Sequence, residues 1–131
     1  MSAERLPKQV IVMRKDLNMR KGKMIAQGAH ASMAVLLDRG DLDGESYKIE
    51  LTPAMHTWVV TGRFTKVCVS VDSEAALDAV VAKAREAGVP VALIVDAGKT
   101  EFHGVPTKTC CAVGPAWSDE VDAITRELPL L

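Results

Sequence analysis

The sequence lacks the features of an exported, membrane-spanning or metal-binding protein. No apolar run reaches the ~18 residues of a bilayer span, and residues 1–10 contain no apolar signal core. The three cysteines are an odd number without zinc-site spacing, and Cys110 and Cys111 would point to opposite faces of a strand. We therefore expect a cytoplasmic protein with reduced cysteines that uses no metal and no cofactor.

Aromatic residues are also scarce, at 4% of the chain. RNA-binding domains that stack bases on aromatic rings need several such side chains, so this composition disfavours them. The formal net charge of -1 excludes a simple polycation. Any binding to nucleic acid must then depend on local clusters of positive charge.

The length and composition of the chain fit one globular domain. Its 131 residues are 48% hydrophobic and 25% charged, and a domain of this size buries roughly two-thirds of its unfolded surface. The sequence contains no internal repeats, linkers or low-complexity tracts. We therefore predict a single domain over residues 1–131.

Hydrophobic patterning predicts alternating strands and helices. The predicted strands are residues 8–14, 66–71, 89–98 and 107–115, and the predicted helices are residues 21–37, 73–88 and 118–128. Ser73 or Asp72 is expected to cap the second of these helices, and Ser118 the third. This order predicts an α/β domain with helices on both faces of the sheet, a three-layer α/β/α arrangement. The sheet is expected to be mixed, because the last two strands can pair through the loop between them.

The segment between residues 38 and 60 has a less regular pattern. Residues 38–46 are predicted to form an acidic loop with two glycines. Ser46 is predicted to cap a further helix that runs through residues 47–60. Pro53 lies within that helix, so we expect the helix to be short or kinked.

Positive charge is concentrated at the start of the first predicted helix. Five of the sixteen lysines and arginines lie within ten positions: Arg14, Lys15, Arg20, Lys21 and Lys23. Cations at a helix N-terminus lower the stability of the helix by a few tenths of a kcal/mol. That this cost is tolerated suggests that anions bind there, where free backbone N–H groups also point. The alternative is a solvated lysine face. Spacings of four and three residues put Gln27 and His30 on the side of Lys23, although His30 could simply be a half-buried, hydrogen-bonded histidine.

The second candidate site is the stretch VDAGKTEFHGVPTKT, which begins at the end of the third predicted strand. Sites of α/β proteins gather at the carboxyl edge of the sheet, so Asp96 could be an acid, a base or a water-orienting group. Alternatively, Asp96 only caps its own turn. Thr100, Thr107 and Thr109 could bind substrate or could simply fill a strand with β-branched residues.

Three stretches of the chain together resemble the peptidyl-tRNA hydrolase type 2 family. They are VIVMRKDLNMRKGKMIAQGAHA, REAGVPVALIVDAGKTEF and AVGPAWSDEVDAITRELPLL, in the order that the family has them. The most specific pieces are the K-G-K-x-x-A-Q-x-x-H-A run and the D-A-G-[KR]-T turn. The resemblance implies a central mixed four-stranded sheet, a homodimer, and hydrolysis of the ester that links a peptide to the 3′ end of tRNA.

The resemblance also implies roles for individual residues. Lys23, Asp96, Thr100 and Thr109 match the family's catalytic positions, and Gln27 matches the family glutamine. Asp96 would orient or deprotonate water, while Lys23 would stabilise the developing negative charge or keep Asp96 ionised. The two threonine hydroxyls would position the water or the carbonyl group.

The remaining basic residues are predicted to bind substrate. Arg14, Lys15, Arg20 and Lys21 would hold tRNA phosphates without reading sequence, and His30 and Lys99 are placed in the same substrate-binding set. The chain departs from the family pattern at Arg20, where glycine is common, and at Lys99, where arginine is frequent. The loop before the last strand is one residue longer than usual, so Thr107 is the alternative to Thr109 as the family threonine.

Three other functions are compatible with these residues. The chain could be a non-catalytic domain that binds tRNA or other RNA, with Asp96 as a turn cap. It could hydrolyse a small anionic acyl substrate, such as an acyl phosphate, with the same lysines. It could also be an interaction protein whose lysine face is only solvated.

Overall fold

The chain folds around two β-sheets and four helices in a computed structural model that describes residues 5–131. The strands are β1 (Pro7–Arg14), β2 (Gly40–Asp43), β3 (Ser46–Ile49), β4 (Lys66–Val71), β5 (Val91–Asp96) and β6 (Thr107–Trp117). The helices are α1 (Lys21–Leu37), α2 (Pro53–Val60), α3 (Glu74–Glu86) and α4 (Ser118–Thr125). No helix in this described part of the chain is long and apolar enough to cross a membrane.

The central sheet has four strands in the order β4-β1-β6-β5. Strand β1 is parallel to β4, and β6 is antiparallel to both β1 and β5. The sheet is therefore mixed, and the last two strands pair as the sequence predicted. Because β1, β4 and β5 run in one direction, their carboxyl ends and the start of β6 lie at the same edge of the sheet. That edge carries the candidate site.

Alternation along the strands divides the core into two layers. Val10 and Val12 of β1 pack in one apolar cluster, whereas Ile11 and Met13 pack in the other. The first cluster contains buried residues of α3 and α4, and the second contains buried residues of α1 and α2. Helices thus cover both faces, which confirms the predicted three-layer α/β/α architecture.

The two adjacent cysteines of β6 follow the same alternation. Cys110 lies in the cluster on the α1 face, and Cys111 lies in the cluster on the α3 face. Both thiols are free and buried. The expectation that these two side chains point to opposite faces is therefore confirmed.

The prediction for residues 38–60 was wrong in two respects. Residues 40–49 form a β-hairpin, with β2 and β3 paired antiparallel, where a loop and the start of a helix were expected. Gly44, with φ of 64°, provides the left-handed conformation of the two-residue turn. The following helix starts at Pro53, and the Thr52 hydroxyl accepts a hydrogen bond from the Met55 N–H. Pro53 therefore occupies the first helical turn, where its missing N–H has no cost.

The caps predicted for α3 and α4 differ in outcome. Ser73 caps α3 by accepting a hydrogen bond from the Ala76 N–H at 3.0 Å, as predicted. Ser118 is not a cap, because it is the first residue of α4 and its hydroxyl donates to the Leu6 carbonyl oxygen. The residue in the cap position is Trp117, whose side chain forms no capping hydrogen bond. Contact between distant segments has here replaced the local cap.

Candidate active site

Lys23 and Asp96 form an ion pair at the carboxyl edge of the sheet. The Lys23 Nζ lies 2.8 Å from the Asp96 Oδ1 and 2.8 Å from the Thr100 Oγ1. Both charged side chains are largely sequestered, with 15% and 14% of their surfaces exposed. Lys23 comes from the first turn of α1, and Asp96 is the last residue of β5. The Phe102 ring, with its centroid 5.7 Å from the Lys23 Nζ, covers one side of the ammonium group.

Gln27 connects this ion pair to strand β6. Its side-chain amide donates to the Asp96 Oδ1 at 3.2 Å, and its Oε1 accepts the hydroxyl hydrogen bond of Thr109. Gln27 and Thr109 are both buried. The structure thus brings Thr109 into the network, while the Thr107 hydroxyl donates to the Val105 carbonyl oxygen within its own loop. Lys23, Gln27, Asp96, Thr100 and Thr109 form what we call the polar network.

A β-bulge turns Thr109 towards α1. On β5, Ile94 pairs with Cys110 and Val95 pairs with Lys108, so Thr109 is an extra residue in the ladder. Regular alternation would place Thr109 and Cys110 on opposite faces of the sheet. The hydroxyl of Thr109 instead bonds the Gln27 side chain, and the Cys110 thiol lies 3.3 Å from the Gln27 carbonyl oxygen. The bulge therefore puts both residues on the face of Asp96.

The turn after β5 fixes the second oxygen of Asp96. The Gly98 N–H donates to the Asp96 Oδ2 at 2.8 Å, so Asp96 also caps its own turn. Gly98 has a φ of 82°, and a Cβ atom there would lie 2.3 Å from the Val105 carbonyl oxygen. Only glycine fits this close approach of the two ends of the loop. The structural and functional interpretations of Asp96 are therefore both compatible with its contacts.

The hydrogen bonds around Asp96 lower its pKa. The largest effect is the hydrogen bond from the Lys23 ammonium, followed by the Gly98 N–H, and the Gln27 amide acts in the same direction. These contacts outweigh the burial of the carboxyl group, which opposes ionisation. Asp96 is consequently an ionised carboxylate at neutral pH. A lowered pKa also makes it a weaker base than an ordinary aspartate.

Both charged groups retain capacity for a further ligand. A lysine ammonium has three N–H donors, and the contacts of the Lys23 Nζ to Asp96 and Thr100 occupy two of them. A carboxylate offers about four acceptor sites, of which the three contacts of Asp96 use three. The pair can therefore hold one hydrogen-bond donor, such as water, beside one acceptor, such as a carbonyl oxygen.

The buried cysteine beside this network is not a candidate nucleophile. Burial raises the pKa of the Cys110 thiol to about 11, so the thiol stays protonated at neutral pH. Burial also raises the pKa of Cys111. Within residues 5–131, no three His, Cys, Asp or Glu side chains lie together as a set of metal ligands would.

The N-terminus of α1 lies beside this network and carries exposed positive charge. The cap residue, Arg20, forms no side-chain capping bond, and the first turn of α1 contains no acidic residue. Glu101 lies near this mouth, with its Oε1 3.8 Å from the Arg20 Nε and its Oε2 3.4 Å from the Arg20 N–H. Lys15, Lys21 and Lys99 are exposed. His30 is exposed one turn beyond Gln27 and is not part of the polar network.

Arg14 does not belong to this exposed set. Only 9% of its surface is exposed, and its guanidinium group pairs with both carboxylate oxygens of Asp16. It also donates to the Lys108 carbonyl oxygen at 3.0 Å. The predicted phosphate contact of Arg14 is not compatible with this burial, because its donors are directed at protein groups.

Two side chains at the mouth of the site were not assigned from the sequence. Phe102 lies against the Lys23 ammonium, and Glu101 lies beside the backbone N–H of Arg20, the cap residue of α1. Both belong to the stretch that was singled out after β5. Their position in that loop was the only sequence signal that they lie near the site. No local pattern shows where the side chains of a turn point.

The chain matches a known protein family over almost its whole length. The peptidyl-tRNA hydrolase PTH2 family matches residues 7–131 of the chain. The chain belongs to this family. A peptidyl-tRNA hydrolase of Methanocaldococcus jannaschii is 40% identical over 124 residues, which are 95% of this chain and 99% of the relative. One of Aeropyrum pernix is 44% identical over 124 residues, or 94% of each chain.

Membership in the PTH2 family confirms the resemblance of the three sequence stretches. The match is not limited to one motif, because it begins in β1 and runs to the last residue of the chain. It includes both segments that build the polar network, the start of α1 and the turn after β5.

Proposed function

We propose that the chain hydrolyses the ester bond between peptide and tRNA in peptidyl-tRNA, and so recycles tRNA from aborted translation. The observation that carries this proposal is the contact of the Lys23 Nζ with the Asp96 Oδ1 and the Thr100 Oγ1, each at 2.8 Å. This pair lies beside a cationic helix N-terminus, which suits a polyanionic substrate. Membership in the PTH2 family supports the same reaction.

In the proposed mechanism, water attacks the ester carbonyl carbon. The Asp96 carboxylate orients this water by accepting one of its hydrogen bonds, and the lowered pKa of Asp96 makes orientation its main role rather than full proton removal. The carbonyl oxygen becomes negatively charged in the tetrahedral intermediate. The remaining N–H of Lys23 donates to that oxygen. The Thr100 hydroxyl, which lies 2.8 Å from the Lys23 Nζ, would donate a second hydrogen bond to the same oxygen.

The second half of the reaction breaks the bond to the tRNA. The tetrahedral intermediate collapses and the ester C–O bond breaks. Of the two protons of the attacking water, one passes to the ribose oxygen as it leaves, and the other is released to solvent. The products are a peptide carboxylate and a tRNA with a free terminal hydroxyl. Gln27 and Thr109 keep the Asp96 carboxylate in place by hydrogen bonding during these steps.

We propose that the tRNA backbone is held by the exposed cations near the mouth of α1. Lys15, Arg20, Lys21 and Lys99 are exposed there and could contact phosphates without reading bases. We propose that His30, which is exposed further along α1, also contacts the substrate. Arg14 is no longer included, because its guanidinium group is buried against Asp16.

Three further inferences accompany this proposal. We infer that the chain acts in the cytoplasm, where its substrate is produced, and that residues 1–131 form one functional domain. We also infer that it works as a homodimer. The family resemblance is the support for the dimer.

The proposal is tested with N-blocked aminoacyl-tRNA as substrate, by measuring the release of free tRNA without added metal. We expect Lys23→Ala and Asp96→Ala each to lower kcat by about 10²-fold or more, because each removes a charge that acts on the transition state. The matched control is Lys83→Ala, which removes an exposed lysine from α3 on the other face of the sheet. That variant should keep the wild-type rate.

The same experiment separates the alternatives. An inactive wild type that still binds tRNA would favour a non-catalytic RNA-binding domain. Hydrolysis of an acyl phosphate with only a weak dependence on salt would favour a small anionic substrate, since many phosphate contacts give a steep salt dependence. Full activity in both folded variants would remove Lys23 and Asp96 from the catalytic set.

A further inference from the structure

Arg14 is a buried cation at the end of β1. Its guanidinium group donates to both carboxylate oxygens of Asp16, at 3.1 and 2.6 Å. A third donor, Nη1, lies 3.0 Å from the Lys108 carbonyl oxygen and 4.0 Å from the nearer oxygen of Glu74. A side chain that binds phosphate in solvent would be exposed, whereas only 10% of the surface of the Arg14 side chain is exposed.

The carbonyl group that Arg14 binds belongs to the bulge in β6. Lys108 directly precedes Thr109, the extra residue in the pairing with β5. The ladder between β1 and β6 ends at the pair Met13 and Cys110. In a regular ladder Arg14 would oppose Thr109, so the side chain of Arg14 supplies a hydrogen bond where the backbone ladder stops.

Arg14 and Thr109 lie on opposite faces of the sheet. Arg14 follows Val10 and Val12 by strand alternation, which places it on the α3 face. Lys108 points to the same face, because its ammonium group pairs with Asp78 of α3 at 3.1 Å. Thr109 points to the α1 face, towards Gln27. The Lys108 carbonyl group is therefore held from one face while the next side chain is turned to the other.

We propose that Arg14 is a positioning residue that holds the β6 bulge, and thereby aims the Thr109 hydroxyl at Gln27 and Asp96. The proposal rests on the proposed function, because it assigns Arg14 a part in the same site. Arg14 touches no member of the polar network directly and acts through the Lys108 backbone.

The chemistry of the guanidinium group explains why arginine fits this place. Its planar fork bonds both oxygens of Asp16 and leaves another N–H for the carbonyl group. A lysine ammonium is a single point charge and would not reproduce this geometry. The hydrogen bond from Arg14 lowers the pKa of Asp16, which keeps this carboxylate ionised and Arg14 in its orientation.

The test compares Arg14→Met and Arg14→Lys with wild type, using release of tRNA from N-blocked aminoacyl-tRNA. We expect Arg14→Met to lower kcat by about ten- to hundredfold, because a misplaced site group has an effect of that order. KM and the salt dependence of kcat/KM should stay unchanged. Arg14→Lys should give an intermediate kcat. A higher KM with an unchanged kcat and a weaker salt dependence would show a phosphate contact and overturn the proposal.

The matched control is Lys8→Met. Lys8 lies on the same face near the other end of β1 and pairs with Asp122 at 2.5 Å. Its removal takes away a comparable ion pair that is far from the bulge, so kcat should not change. An equal loss of kcat in Lys8→Met would show a general effect on the sheet and would contradict positioning.

The double variant Arg14→Met/Thr109→Val tests whether Arg14 acts through Thr109. If it does, Arg14→Met should cause little further loss of kcat once the Thr109 hydroxyl is absent. Additive losses would overturn the proposal. If Arg14→Met does not fold, Arg14→Lys takes its place in the same cycle.

A readout without activity separates this proposal from the proposed function. In NMR spectra, the Thr109 backbone amide and the Gln27 side-chain amide should shift in Arg14→Met or Arg14→Lys and stay unchanged in Lys8→Met. These shifts would support positioning even if the wild type were inactive towards peptidyl-tRNA, a result that would refute only the function. Unchanged amide signals in the Arg14 variants would overturn the positioning role.

Discussion

Gly98 holds one of the two oxygens of the Asp96 carboxylate. Its N–H donates to the Asp96 Oδ2 at 2.8 Å, and its φ of 82° lies in the left-handed region. The Gly104 N–H donates to the Gly98 carbonyl oxygen, which closes the loop between β5 and β6. Gly104 also has a positive φ, of 78°, but a Cβ atom there would meet nothing within 4 Å. The two glycines therefore share a backbone requirement and differ in the space around them.

This difference gives a prediction for Gly98→Ala and Gly104→Ala. The left-handed backbone costs about 1–2 kcal/mol in either variant. Gly98→Ala must also move the Val105 backbone, so we expect a total loss of about 2–5 kcal/mol in the free energy of unfolding. Urea denaturation measures both values. Only Gly98→Ala should also lower kcat, and equal effects of the two variants on stability and rate would contradict the close-approach argument.

Helix α1 has a cationic N-terminus, which the dipole of the helix disfavours. Arg20 and Lys21 are exposed there, and no acidic residue lies in the first turn. Cations at this end destabilise a helix by a few tenths of a kcal/mol. A cost to folding at an exposed position is consistent with selection for binding. Stability and substrate affinity should therefore respond in opposite directions when this charge is changed.

We predict that Lys21→Glu raises KM more than it lowers kcat, and that it makes the protein slightly more stable. The stability gain should be about 0.3–1 kcal/mol, because an acidic residue suits a helix N-terminus. If Lys21 neutralises one tRNA phosphate, its replacement should reduce the slope of log(kcat/KM) against log[salt] by about 0.7–0.9. Arg20→Gln should change KM in the same direction.

Lys83→Glu is the control for this charge reversal. Lys83 lies in the last turn of α3, where a cation is favourable. Its reversal should lower stability by a few tenths of a kcal/mol and leave KM unchanged. An unchanged KM in Lys21→Glu would remove the N-terminus of α1 from the tRNA-binding surface.

The candidate site joins parts of the chain that are far apart in sequence. Lys23 and Asp96 are 73 residues apart, and Gln27 and Thr109 are 82 residues apart. The sheet brings them together, because the carboxyl end of β5 and the start of β6 lie beside the start of α1. The ion pair consequently links the site to global stability.

The lowered pKa of Asp96 gives a pH dependence with a definite sign. An unfolded aspartate titrates near about 3.9, and in the folded chain the Lys23 hydrogen bond lowers the pKa of Asp96 below its usual value. The stabilisation from the carboxylate is therefore fully present above pH ~4 and is lost as the pH falls through the folded pKa. We predict that Asp96→Asn costs about 1–3 kcal/mol at pH 7, and that this difference shrinks below pH ~4.

Denaturant titrations from pH 7 down to pH 3 check this prediction. Asp43→Asn is the control, since Asp43 pairs with Lys48 on the surface and 61% of its side chain is exposed. Exposed pairs contribute little, so this variant should stay close to wild type throughout. A difference between wild type and Asp96→Asn that grows as the pH falls would contradict the assigned sign.

Local sequence signals predicted most of the elements but not the segment around the hairpin. The strand at 66–71 and the helix at 21–37 have the predicted bounds, because a short β-branched run and a 3.6-residue period are strong local signals. The prediction for residues 40–49 was wrong because acidic residues and glycines are as common in a loop as in a hairpin turn. Their pairing depends on contacts between β2 and β3 that no local period encodes.

The sequence indicated which residues form the candidate site better than it indicated how their side chains are arranged. Lys23 and Gln27 were grouped by helical spacing, and the structure places both on the Asp96 carboxylate. Arg14 and Lys15 are adjacent cations in the sequence, yet one is buried against Asp16 and the other is exposed. Charge in a sequence does not show which side of a strand end a side chain takes.

The five cations at residues 14–23 thus fall into an exposed group and a group held in contacts with other side chains, and only the fold distinguishes the two. Periods and motifs within single segments were enough to predict the alternating elements, the helical face shared by Lys23 and Gln27, and the family. The folded chain was needed to show which cations are free, which threonine joins Gln27 and where Asp96 points. These depend on strand register and on one β-bulge, which arise only when distant segments pair.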